Sequence, residues 1–382
     1  MRYLRLLVGV LLAGLLIQAC GGGQAIREPA KPAASGPAAS SPDKPAAQAT
    51  GEPAAQAAPK PATKPTFAPA PPGTIVWNLP TIFFQSDYQH LLLTDFINKV
   101  REKSGGKLEI RMHPASSLYN TTDIPPAMID GRVEIGSFPT FGISDARPNL
   151  AVADLPFASS SEAEGRKVLE ALIPYHKQEL AKLGLVHLMT MPWPAQQLFT
   201  AKDPVRTVDD WKGRKIRTYS VESADFARAM GASPVTMPVA ELYVGIQRGL
   251  AEGVLTSTLT IRSTKTFEVM KYANLWNWTG SPTELISVNK KAYDALPADL
   301  QKVLTDVMAQ EKYQEKVWEP HKQANADALK AINEAGVQNV QVDAAELAKA
   351  KDIAKKTVWQ NWLKRAGPSG EEALKIVETA TK

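Results

Sequence analysis

Asp210-Trp211-Lys212-Gly213-Arg214-Lys215-Ile216-Arg217-Thr218 crowds four basic side chains into nine positions. Lys215-Ile216-Arg217-Thr218 reads as a strand. Side chains alternate faces along a strand, so an inward Ile216 leaves Lys215 and Arg217 on the other face. Arg217 lies nearest the C-terminal end, where open α/β sheets bind ligands. Its guanidinium is a planar fork that matches a carboxylate through two parallel hydrogen bonds. The competing role is a structural salt bridge. Lys212, Arg214 and Lys215 read as solvated side chains.

Catalytic and metal chemistry find little material. The five histidines are His90, His113, His176, His187 and His321. None is spaced from another as metal ligands usually are, and H-E-x-x-H, G-x-S-x-G, Walker A and G-x-G-x-x-G motifs do not occur. That inventory argues against an enzyme, and no cofactor or metal is expected.

The elements that must position Arg217 alternate between strand and helix. Strands are expected at 74–79, 107–112, 133–138, 185–191, 215–218, 234–236, 253–256 and 285–288. Helices are expected at 90–104, 123–130, 221–230 and 241–248, several of them ended by glycine. That alternation argues for βαβ units and mostly parallel strands. From Pro297 onward the chain reads as helices at 297–333, 344–366 and 370–381.

The first 72 residues read differently. Arg2, Arg5 and the apolar run Leu6–Ile17 form a secretory signal of 1–20, too short to span a bilayer as a helix. Cys20, the chain's single cysteine, sits where a bacterial lipoprotein signal is cut, with Gly21 after it. Lipidation there would anchor the mature chain to a membrane. Residues 21–72 are rich in Ala and Pro, with twelve of the chain's 29 prolines. Such a segment cannot offset the entropy of ordering and reads as a disordered linker. Without these parts the body is close to neutral, so the formal charge of +5 does not point to nucleic acid.

Several stretches of the body, in order, resemble the DctP-type solute-binding proteins of TRAP transporters. They are Ser104–Pro114 (SGGKLEIRMHP), Asp130–Phe138 (DGRVEIGSF), Ala153–Glu164 (ADLPFASSSEAE), Val208–Thr218 (VDDWKGRKIRT), Met230–Gly253 and Val288–Leu304. The resemblance spans nearly all of 73–382. It implies an α/β, two-lobed periplasmic-binding-protein-like fold with central mixed sheets, a cleft, and long C-terminal bracing helices. The segments expected are lobe I at 73–194, lobe II at 195–282, a return to lobe I with a bridging helix at 283–322, and C-terminal helices at 323–382. It also implies capture of a small organic acid outside the cytoplasmic membrane, delivery to TRAP permease subunits, and ion-gradient-driven uptake. Contact with the membrane would be only through the lipid on Cys20. The alternatives are a receptor for an ABC-type importer and an anchored ligand sensor.

Site residues follow from the same resemblance. The family's signature arginine matches Arg217. Where many relatives carry a second arginine this chain has Gln197, and Thr256 stands in place of a common asparagine. The missing charge and amide favour a ligand with one carboxylate and an uncharged or aromatic remainder. Trp193 at the first crossover between lobes, Phe83 after the first strand, Ser137 and Phe138 at the end of the third, and Trp278 near the second crossover complete the expected set.

Overall fold

The computed structural model describes residues 65–280 and 282–382. The expected signal, Cys20 and most of the expected linker lie outside the described residues.

The first lobe holds two small sheets. β1 (Ile75–Pro80) and β2 (Leu108–His113) pair in parallel, joined by helix Tyr88–Lys103. The last part of the proline-rich segment runs along β2. There Phe67 packs edge-on against His113 at 5.1 Å, and Arg111 donates to the Ala68 carbonyl at 2.8 Å. Beside β1 lies a three-stranded sheet. β3 (Ile135–Pro139) and β4 (Leu185–Pro192) flank β10 (Thr283–Asn289), which is antiparallel to both.

The second lobe is built on a six-stranded sheet. Its members are β5 (Gln196–Thr200), β6 (Lys215–Thr218), β7 (Ser233–Thr236), β8 (Gly253–Ser257), β9 (Tyr272–Thr279) and β11 (Gln338–Gln341). Their order across the sheet is β11-β9-β5-β8-β6-β7. β6 is parallel to β7 and β8, and β11 to β9, whereas β5 runs antiparallel to β8 and β9. The expectation of mostly parallel strands is therefore too simple: β5 and β10 each follow a crossover between lobes and enter their sheets reversed. All five residues of β5 are buried, because both faces of the sheet are covered. Trp211, Phe226, Trp276 and Trp278 pack on one face, at ring separations near 5.4 Å. Phe199, Leu242, Ile246, Val254 and Ile261 form a separate apolar cluster.

The chain passes between lobes twice, between Pro192 and Gln196 and between Thr279 and Thr283. The two passes are tied by the Trp193 amide, which donates to the Pro282 carbonyl at 2.8 Å. Two expectations for the C-terminal region change. The helix expected at 297–333 is split into Ala298–Gln310, Tyr313–Lys316 and Trp318–Glu334, with Lys312 in the left-handed region at φ 50°. The helix expected at 344–366 is interrupted at Thr357, while Val358–Ala380 continues through a kink at Gly367 and Pro368. β11 falls in the gap between the expected helices and was not anticipated; Gly336 ends the preceding helix and Val340 is buried against β9. Helix Glu162–Lys182 was not anticipated, although Ser161 caps it by accepting from the Glu164 amide.

Two of these helices brace both lobes. Trp318–Glu334 touches Tyr88–Lys103 in the first lobe and Thr258–Ser263 in the second. Val358–Ala380 donates from the Trp359 and Trp362 indoles to the Pro156 and Pro148 carbonyls, each at 2.8 Å. Its Arg365 pairs with the buried Glu222 of the second lobe at 2.8 Å.

At the second pass, Gly280 leaves no room for a side chain. A Cβ there would lie 2.5 Å from the Ser159 hydroxyl and 2.8 Å from the Ser161 carbonyl. The backbone carbonyl cannot swing away, so Gly280→Ala should overpack the crossing and destabilise the protein by about 1–3 kcal/mol. An unchanged urea midpoint in the variant would contradict that close approach.

Candidate functional site

A cavity of about 290 Å³ opens between the lobes. The first lobe contributes Ile82, Phe84, Asp87, Ser116, Asn120, Thr121 and Phe141; the second contributes Arg217, Tyr219, Thr236, Met237, Thr256 and Thr260. Trp193, Gln196 and Pro282 line it from the crossings.

Arg217 is the charged centre of the second lobe's wall. β6 follows the turn at Gly213 and stops at Ser220, which caps the next helix by accepting from the Ser223 amide. That places Arg217 where the strand ends. It is 3% exposed. Its Nε donates to the Met237 carbonyl at 2.9 Å and its Nη1 to the Leu255 carbonyl at 3.4 Å. The Tyr219 ring lies 5.7 Å from the guanidinium carbon. Among the described residues no carboxylate lies within ion-pair distance of it. Burial lowers its pKa to about 10, so it remains a cation at neutral pH. Lys215, by contrast, is exposed, and Lys212 pairs with Asp209 at the surface.

Of the residues expected at a site, Arg217, Trp193 and Thr256 line the cavity together. The others stand behind the lining. Phe83 is buried against Trp193, at 5.5 Å between rings, and Phe84 takes the lining position. Gln197 faces away: its amide pairs with the side chain and backbone of Asn277, accepting from the Asn277 amide at 2.8 Å. Its neighbour Gln196 lines the cavity instead. Trp278 stacks on Phe226, 6.1 Å behind Tyr219. Phe138 lies in the first lobe's core. Ser137 donates to the buried Glu284 Oε1 at 2.5 Å.

Glu284 joins this second layer to the lining. The Trp193 indole donates to its Oε2 at 2.9 Å. Burial raises its pKa to about 8, against the lowering effect of the Ser137 and Trp193 hydrogen bonds. Facing it are Tyr88 and the buried Asp154, neither of which supplies positive charge. Glu284 is therefore mostly protonated at neutral pH.

Sequence reasoning did not select Tyr219, Phe141 or Asp87. Tyr219 follows Arg217 by two positions, so strand alternation could have placed it on the same face. Its ring packs on Phe141 of the other lobe at 4.6 Å. Asp87 precedes a helix and resembles an ordinary N-terminal cap.

Residues 81–365 match the family described as bacterial extracellular solute-binding protein, family 7. The chain is similar to the 2,3-diketo-L-gulonate-binding periplasmic protein YiaO of Escherichia coli, with 29% identity over 66% of this chain and 77% of the relative. It is also similar in structure to DctP6, an extracytoplasmic solute receptor of Bordetella pertussis binding pyroglutamic acid. Identity is 30% and the TM-score 0.75, covering 80% of this chain and 100% of that one. A marine metagenome TRAP solute-binding protein specific for pyroglutamate matches with 26% identity and a TM-score of 0.74, over 80% of this chain and 99% of that one.

The buried Glu284 carries a pH signature. Its folded pKa of about 8 exceeds the ordinary 4.5, so folding retains a proton that the unfolded chain releases. The stability this contributes is complete below pH 4.5 and is lost as pH rises towards 8. Glu284→Gln mimics the protonated acid, its carbonyl accepting from Trp193 and its amide reaching Ser137. The variant should gain on the parent by about 1–3 kcal/mol between pH 5 and pH 8. Urea unfolding at both pH values tests this; parallel changes in the two proteins would refute it.

Proposed function

The chain belongs to the bacterial extracellular solute-binding proteins of family 7, and from that premise we propose that it is the extracytoplasmic receptor of a TRAP transporter whose Arg217 grips the carboxylate of a small organic acid. The observation that carries this reading is a buried, cationic guanidinium in the cavity wall, oriented by two backbone carbonyls and, among the described residues, without a carboxylate at ion-pair distance. A ligand carboxylate is the counter-charge that such a group requires. The aromatic wall of Trp193, Tyr219, Phe84 and Phe141 suits an uncharged or ring-shaped remainder. Both relatives binding pyroglutamate carry a ligand of that description.

The rest of the cycle belongs to the same proposal. The lobes close on the acid, using the crossings as the hinge, and the closed form presents it to the membrane permease. The lipobox-like run before Cys20 supports a lipid anchor there, which holds the receptor at the membrane outside the cytoplasm. Cys20→Ala should move the protein from the membrane fraction to the soluble extracytoplasmic fraction. A wild-type protein already wholly soluble there would refute the anchor.

Calorimetry with a panel of organic acids that includes L-pyroglutamate tests the role of Arg217. Arg217→Met should weaken binding by roughly 2–5 kcal/mol, because the carboxylate would be buried unpaired. Arg217→Lys keeps the charge but loses the fork, and should fall between. Lys215→Ala, at an exposed position on the same strand, should bind as the parent does. Near-parental affinity in Arg217→Met with an intact fold would overturn the assignment.

A further inference from the structure

The cavity contains a second buried charge, of opposite sign and on the other lobe. Asp87 is 2% exposed and lines the cavity. It stands at the start of helix Tyr88–Lys103 but does not cap it with its side chain. Its Oδ2 accepts from the Phe84 amide at 2.8 Å, and its Oδ1 accepts from the Ser263 hydroxyl of the second lobe. Asp87 is thus both part of the wall and part of a bond that spans the cleft. Among the described lining residues, Arg217 and Asp87 are the ionisable pair of opposite charge. Arg217 stands on a strand of the second lobe and Asp87 at the first helix of the other, so the two charges reach the cavity from different lobes.

We propose that Asp87 sets the ligand's charge: it excludes an acid with a second carboxylate and accepts a hydrogen bond from an N–H or O–H group on the ligand's uncharged end. This rests on Arg217 holding the first carboxylate. The remaining lining is hydroxyl, amide, aromatic and aliphatic, so it offers a second carboxylate no cation. That carboxylate would be buried near Asp87, whose charge Arg262 offsets only in part, the effect of burial being the larger, and like charges so placed oppose binding. An N–H or O–H donor meets the reverse condition, because a carboxylate has lone pairs beyond those used by Phe84 and Ser263. Burial raises the Asp87 pKa to about 6, partly offset by the Ser263 and Phe84 hydrogen bonds. At pH 7.5 the group is therefore mostly ionised and available for both roles.

The test compares the affinities of two acids, L-pyroglutamate and L-malate, at pH 7.5. The first carries one carboxylate and a lactam N–H; the second carries two carboxylates. The parent protein should prefer pyroglutamate by about tenfold or more. Asp87→Asn removes the charge and should cut that preference by about tenfold, mainly through tighter malate binding. Ser263→Ala keeps the charge but removes the bond across the cleft. It should weaken both acids alike and leave their ratio intact. A parent that binds malate as well as pyroglutamate refutes the inference and leaves the receptor reading standing. An unchanged ratio in Asp87→Asn, with the fold intact by circular dichroism, refutes it too. A parent that binds neither acid, nor any other of the organic acid panel, overturns the receptor reading and this inference with it.

Discussion

A guanidinium buried without a protein anion is the constraint on which the site depends. Removing a charge from water is costly, and neighbouring groups normally offset it with an opposite charge. At Arg217 two backbone carbonyls do part of this, and the Tyr219 ring does a little more. Those carbonyls belong to residues after β7 and within β8, the strands flanking β6. The sheet order therefore fixes where the guanidinium sits. Its remaining electrostatic demand is directed at the cavity, where the proposed ligand carboxylate would meet it.

The lining side chains are held by a second layer. Trp193 presents its ring to the cavity while its indole donates to Glu284, its amide donates to Pro282, and its backbone hydrogen-bonds to His321 on a bracing helix. One residue is thus tied to both crossings and to a helix that touches both lobes. Tyr219 is supported in the same manner by Trp278 and Phe226. A ligand that pressed on either ring would be pressing on the crossing or on the second lobe's aromatic core. In the proposed cycle these contacts are what would couple binding to lobe position, because packed interiors yield little to deformation.

Legibility in the sequence followed the strength of local signals. β6 was read to the residue, since a glycine turn precedes it and a serine cap follows. Helix boundaries near Gly105 and Gly231 fell within a residue or two for the same reason. β5 was not read as a strand because it is buried on both faces, and β9 was not because its burial, interrupted at Tyr272, Leu275 and Asn277, does not follow a simple alternation. At the site the difficulty was phase. Phe83 and Gln197 were singled out, whereas Phe84 and Gln196 line the cavity. Strand side chains repeat every two residues, so an error of one position transfers a residue to the opposite face. Asp87 escaped for a different reason: its partner Ser263 is 176 positions away, and no local pattern encodes that meeting.

Gln197 belongs to the second lobe's sheet and not to the cavity lining. Gln197 satisfies the backbone of Asn277, which adopts a left-handed conformation at φ 42°. β5 changes register against β9 between Gln196 and Leu198, so an irregularity in the ladder is sealed by that side chain. An arginine at 197 could not accept from the Asn277 amide, since guanidinium has no acceptor. The position is therefore committed to the second lobe's sheet, and the cavity is left with Arg217 as its cation. With Asp87 on the facing lobe, the two charged groups of the lining sum to near neutrality. A ligand with one negative charge, placed against Arg217, leaves Asp87 to be met by a neutral donor. The proposed charge selection rests on a pairing of lobes: the cation belongs to the sheet of one, the acid to the start of the first helix of the other, and both line the same cavity.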